Sequence, residues 1–196
     1  MNDFKFTEKD TTHAPSVEEY QRQITEIKNY AKNLLKDLSE SDFNKQPSTG
    51  GWSVGECFEH MNILGRGYVA NLQKAVAEGR KKGLTGSGKV KYGFFAKKFI
   101  SSMEPPYKMK LKTTSAMQTK DKNLSKEKVL AEFLKIQDEM LEILKSAQGL
   151  DFKKITAPSM FFRFFKMNVG EWLGSMASHE RRHLWQASNV KKKLGS

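Results

Sequence analysis

Trp172-Leu173-Gly174-Ser175-Met176-Ala177-Ser178-His179-Glu180-Arg181-Arg182-His183-Leu184-Trp185-Gln186-Ala187-Ser188-Asn189-Val190 is the stretch on which the fold turns. Trp172, Met176, His179, His183, Gln186 and Val190 recur at alternating spacings of four and three. That is one stripe of an α-helix, and it sets two imidazoles one turn apart on the face expected to bury. Asn168-Val169-Gly170-Glu171 ahead of it reads as a capping-box-like start. Lys191-Lys192-Lys193 near the far end complements the helix dipole. The helix is expected over residues 169–190.

Three further helices follow from the same periodicity. Ser16-Val17-Glu18-Glu19 reads as a capping box, and Val17, Tyr20, Ile24, Ile27, Ala31, Leu34 and Leu38 stripe a helix over 16–38. Ser53-Val54-Gly55-Glu56 opens a second, running to about Glu78, with Val54, Cys57, Met61, Leu64, Tyr68, Leu72 and Val76 inward. A third covers 125–148 through Val129, Phe133, Ile136, Met140, Ile143 and Ala147, with Gly149 placed to end it. Residues 1–15, including His13, form a polar lead-in, and Ser39 to Gly51 reads as a loop. Residues 79–123 read as a long crossover: a basic Gly-rich break, a short amphipathic helix over 89–100, then an extended stretch with Lys108-Met109-Lys110-Leu111-Lys112. A second irregular stretch runs through Pro158 and the cluster Met160-Phe161-Phe162-Arg163-Phe164-Phe165-Lys166. Four long helices with one long connection make a single all-α domain, a four-helix bundle over residues 1–196.

Composition narrows the function classes. Of 196 residues, 38% are hydrophobic and 29% charged, a globular balance rather than a disordered one. No stretch reaches the ~18 uninterrupted apolar residues of a membrane span, and no signal peptide is expected at the N-terminus. Cys57 is the single cysteine, so no intrachain disulfide can form, which fits a reducing cytoplasm. The net charge of +12 favours anionic partners.

His60 lies one turn after Glu56, on the inward side of the second helix, beside Met61 and Leu64. With His179 and His183 it brings three imidazoles toward one interior from two helices. An isolated buried histidine is ordinarily a neutral, hydrogen-bonded core residue. A pair one turn apart is different, because charging either ring in an apolar site is costly, and one ion satisfies both lone pairs. His179-Glu180-Arg181-Arg182-His183 is literally HExxH, the zinc-protease string. The metzincin continuation would need Gly and His where this chain has Gln186 and Asn189, and no Asp, Glu or His follows His183. A metalloprotease is therefore not expected.

Gly51-Trp52-Ser53-Val54-Gly55-Glu56-Cys57-Phe58-Glu59-His60, with Val169 to Leu173 and His179 to Gln186, resembles the DinB-like (YfiT-type) metal-binding family. In that family a Trp-Ser pair opens the second helix, a histidine follows, and the last helix carries H-x-x-x-H and then a glutamine. The resemblance implies an up-down-down-up four-helix bundle with a long crossover between its second and third helices. It implies His60, His179 and His183 as ligands of one divalent ion, zinc or nickel first, iron or manganese otherwise. It further implies a thiol S-transferase or hydrolase acting on a small electrophile, with a low-molecular-weight thiol as cofactor. Catalytic residues stay unassigned; Glu180 and Gln186 are candidates near the ligands. Trp52, Trp172 and Trp185 are read as large core or interface side chains. Glu56 is read as a capping residue and Cys57 as core.

Two other functions stay open. One is a non-catalytic, metal-stabilised helical module. The other is an anion- or nucleic-acid-binding protein using Lys81, Lys82, Lys89, Lys91, Lys97, Lys98, Lys108, Lys110 and Lys112, with Tyr92, Phe94, Phe95 and Phe99 interleaved. The partners expected are a small anionic molecule and a second copy as homodimer, with no membrane and no nucleic acid.

Overall fold

The computed structural model describes residues 15–89, 92–107, 113–158 and 166–194. His13 and nearly all of the lead-in, Lys91, the 108–112 alternation and most of the phenylalanine cluster lie outside the described residues. Four long helices form the frame: α1 (Val17–Leu35), α3 (Val54–Lys81), α5 (Lys126–Ser146) and α6 (Val169–Leu194). The shorter α2 (Glu40–Asn44) and α4 (Phe94–Met103) lie between them in sequence. Every residue of the first three expected stripes is buried.

Their starts are held by side chains. Ser53 and Glu56 make the full reciprocal box, Glu56 N–H donating to Ser53 Oγ at 3.1 Å and Ser53 N–H to Glu56 Oε2 at 2.8 Å. Asn168 and Glu171 do the same for α6. At α1 only half of the expected box forms. Ser16 Oγ accepts from Glu19 N–H, but the Glu19 carboxylate turns outward to Arg22 and Gln23 instead. Gly149 adopts φ +76°, the left-handed turn that takes the chain away from α5.

Cross-helix contacts fix the directions. Tyr20 hydroxyl donates to Gly170 O, and Lys191 Nζ to Leu34 O, so α1 and α6 run parallel. Phe58 meets Phe133 edge-on, and Arg80 Nε donates to Ser146 O, so α3 and α5 run parallel. Lys28 pairs with Asp138 while Lys126 reaches Leu38 O, making α1 and α5 antiparallel. His60 beside His179 and Tyr68 beside Trp172 make α3 antiparallel to α6. The order is up-down-down-up. Parallel neighbours cannot be joined by a tight turn, so the chain must return along the bundle between α3 and α5. Close approach there needs Gly65, where an added Cβ would sit 2.8 Å from Ile136 Cγ2.

The connections hold more structure than expected. The 39–51 loop contains α2, capped by Ser39 Oγ on Asp42 N–H and sealed by Phe43, which is fully buried. The crossover helix begins at Phe94 rather than near Lys89, because Tyr92 hydroxyl meets Tyr20 hydroxyl at 2.9 Å and Gly93 N–H donates to Glu171 Oε1. A single 3₁₀ turn follows at Ser115–Met117. The second irregular stretch contains an antiparallel pair, β1 (Thr156–Pro158) and β2 (Lys166–Asn168), with Ala157 opposite Met167. Both of those residues are buried, and Ala157 O accepts from Trp172 Nε1 at 3.1 Å. The pair therefore serves as a cover on the bundle end.

The apolar core falls into two clusters along the bundle. Buried polar residues lie among them: Gln23, Asn62, Gln137, Glu180 and Arg181. Asn62 Nδ2 donates to Val129 O, and Gln137 Nε2 to Glu180 Oε1 at 2.7 Å. Arg181 donates to both Glu104 oxygens through Nε and Nη2, and to Gln23 Oε1 through Nη1 at 3.0 Å. The last helix is buried on nearly every side over 172–184, because α4 covers the face that a simple bundle would leave to water.

Candidate metal centre

Helix α3 supplies His60 from its second turn, and α6 supplies His179 and His183 from adjacent turns. All three are buried. One nitrogen from each lies within 4.8 Å of the others, and the Nε2 atoms of His60 and His179 are 3.2 Å apart. Two nitrogens on one tetrahedral zinc lie ~3.3 Å apart, from bonds of about 2.05 Å.

The rings are oriented by their other nitrogens. His60 Nδ1 donates to Met117 O at 2.6 Å, so the 3₁₀ turn of the crossover fixes which lone pair of His60 faces its neighbours. His183 Nδ1 donates to Gln186 Oε1 at 3.1 Å, one turn further along α6. Burial lowers the pKa of His60, with the Met117 carbonyl acting the other way. Burial holds His179 and His183 well below the usual histidine range, and the neighbouring imidazoles and Arg182 push the same way. Three neutral nitrogen donors therefore share one small buried space. Among the described residues no Asp, Glu or Cys joins the cluster.

The glutamate of the HExxH string does not face this cluster. Its Oε1 accepts from Gln137 on α5, and burial pushes its carboxyl up to about 7, against the Gln137 bond and Arg181. Gln186 does reach the cluster, through His183. Cys57 is fully buried in the apolar core, which drives its thiol well above the usual range. Glu56 is taken up by its capping bonds, Gln46 and Lys122.

A cleft of about 840 Å³ opens beside His183. Two of the three tryptophans line it, which the reading of all three as core or interface had not separated. Trp52 lies over His183, 21° from parallel with centroids 5.6 Å apart, and tilts against His60 at 4.9 Å. Trp185 meets Tyr107 edge-on at 5.0 Å, and the Arg182 guanidinium sits 3.6 Å over the Tyr107 ring. Only Trp172 is fully buried core. Arg182, Lys192 and Lys193 border the cleft, and among the described residues no carboxylate does. Sequence reading missed Arg182, Tyr107 and the Met117 carbonyl. A usable signal was present for the first: Arg182, Asn189 and Lys193 repeat at helical spacing beside the histidine stripe, which Gln186 shares.

An up-down-down-up bundle with three imidazoles meeting at one internal point defines a class of helical proteins built around a shared histidine cluster. The chain belongs to the DinB superfamily, which it matches over residues 23–187. It is 21% identical over 168 residues to the uncharacterized protein YuaE of Bacillus subtilis (strain 168), covering 83% of this chain and 91% of that one. Its fold is similar to that of YfiT from Bacillus subtilis, a probable metal-dependent hydrolase with an unusual four-helix bundle topology. The TM-score is 0.59 at 12% identity, over 100% of this chain and 93% of that one. No helix among the described residues is long and apolar enough to cross a membrane.

Proposed function

We propose that the chain is a metal-dependent enzyme of the thiol-transferase or hydrolase type, holding one divalent ion with His60, His179 and His183 and acting on a small anionic electrophile. The observation that carries this reading is the convergence of three neutral imidazole nitrogens at spacings an ion can bridge, beside a cleft lined by cations. The donor set fits: nitrogen ligands with no fourth protein donor among the described residues suit zinc or nickel, with iron and manganese as alternatives, and leave positions for small molecules. Such an ion, when bound, supplies Lewis acidity and lowers the pKa of a water or thiol.

The remaining chemistry belongs to the chain. Arg182, Lys192 and Lys193 attract an anion and hold it beside His183. Trp52 shields the imidazoles from bulk water by covering two of them. Gln186 and the Met117 carbonyl keep the rings turned toward their common point. A low-molecular-weight thiol carrying carboxylates would suit the same cleft.

Metal analysis of the purified protein and of His60→Ala, His179→Ala and His183→Ala tests the ligand set. About one ion per chain is expected, lost in each variant. Unchanged stoichiometry in the variants overturns the assignment. Turnover of chromogenic electrophiles with several thiols, and of esters without thiol, tests the activity. A metal-loaded protein inert toward all of them would mark a non-catalytic helical module instead.

A further inference from the structure

We propose that the start of α4 attaches the protein to the surface of an anionic lipid bilayer. Phe94 and Phe95 are 76% and 77% exposed, the large apolar side chains left in water among the described residues. They are adjacent in the first turn of α4, with rings edge to face 5.5 Å apart. The opposite side of that helix, Ala96, Ile100 and Met103, is buried. The aromatic pair therefore projects from a firmly seated element. Lys97 and Lys98 follow within the same turn and are exposed.

Charge selects the occupant. In the sequence, residues 79–112 carry ten Lys or Arg against one acid, Glu104, so this segment supplies most of the +12 excess. Glu104 itself is bound to Arg181. An apolar wedge followed in the same turn by two exposed lysines, within a strongly basic segment of sequence, matches the surface of a bilayer containing anionic headgroups, where the rings enter the acyl boundary and the ammonium groups stay at headgroup level. A second copy fits poorly, because like charges repel and two rings fall far short of the area of a stable interface. A single-stranded nucleic acid would want rings set for successive stacked bases, whereas these two adjacent rings stand 79° to each other. The sequence reading expected no membrane partner because nothing spans; attachment to a surface needs no span.

Sedimentation with vesicles tests this. The full-length protein is expected to pellet with phosphatidylcholine vesicles containing roughly one-third phosphatidylglycerol, to stay in solution with phosphatidylcholine alone, and to be released by salt. Phe94→Ser/Phe95→Ser should weaken binding about tenfold while far-ultraviolet circular dichroism stays unchanged, since both side chains are exposed. Lys97→Glu/Lys98→Glu should abolish the preference for the anionic lipid. Absence of binding overturns the proposal, as does equal binding to both vesicles. A Phe double variant that binds like wild type would reduce the attraction to charge alone and overturn the wedge. Phenylalanine-dependent binding of a single-stranded oligonucleotide without vesicle binding would hand the surface to nucleic acid.

Discussion

Gln186→Leu separates a positioned imidazole from one that merely sits in the core. Gln186 Oε1 accepts from His183 Nδ1 at 3.1 Å, and His183 is 7% exposed. Leucine keeps helix propensity and most of the volume but removes the acceptor. Losing the outer partner of a ligating histidine costs about 10–100-fold in metal affinity. Gln186 is half-buried at the cleft, so water can replace part of the lost bond. The expected loss is therefore at the low end, about tenfold, or ~1.4 kcal/mol. Titration against a chromophoric chelator at constant pH measures it, with circular dichroism to show that the bundle is intact. Gln186→Glu, a charged acceptor at the same place, should match or exceed wild type. If the leucine variant binds the ion as tightly as wild type while the histidine variants do not, the bond does not orient His183 for coordination.

Adding zinc or nickel at about 100 times its Kd should stabilise the native state by about 2.7 kcal/mol, a rise of about 5–10 °C in melting temperature for a chain of this size, and His179→Ala should abolish the rise. Phe133→Ala, at a fully buried ring packed edge-on against Phe58, should cost about 3–5 kcal/mol in urea unfolding. For Glu56, burial raises the pKa, but the bonds from Gln46, Lys122 and Ser53 outweigh it and leave the folded value lowered. Its contribution is thus present above the unfolded carboxylate pKa of about 4.5 and lost as pH falls through the folded value, so Glu56→Gln should flatten the acid limb of stability while lowering stability at neutral pH. Lys192→Ala/Lys193→Ala should raise KM for an anionic substrate with little change in kcat, whereas a neutral analogue should show no difference.

The helical frame was legible because each stripe records burial directly: Val17 through Leu38, Val54 through Val76 and Val129 through Ala147 all face the core. The histidine cluster was legible from similar signals: His179 and His183 ride on the α6 stripe, and His60 lies beside the α3 stripe, between Cys57 and Met61. What lay outside the stripes was not. Glu180, Arg181 and Arg182 look like a solvated face and are buried, Glu180 against Gln137 of α5 and the two arginines against α4 and its C-cap, through contacts far apart in sequence such as Glu104 with Arg181 and Ser102 O with Arg182. The Met117 carbonyl is a backbone acceptor and carries no side-chain signal. Trp52 was recognised from its Trp-Ser motif, but its stacking on His183 depends on how α3 and α6 meet.

The polar residues inside the bundle act as a ratchet pawl between otherwise slippery rods. Leucine and phenylalanine surfaces tolerate sliding, and a slip by one turn would carry a ring about 5.4 Å along its axis. That would pull His60 clear of the pair on α6. Asn62 locked to the Val129 carbonyl and Gln137 locked to Glu180 couple α3 to α5 and α5 to α6, so a slip of α3 or of α6 would break one of these bonds and strand a buried side-chain amide. These directional bonds add to the close packing of Gly65 on Ile136 in holding the axial alignment on which the meeting of the imidazoles depends.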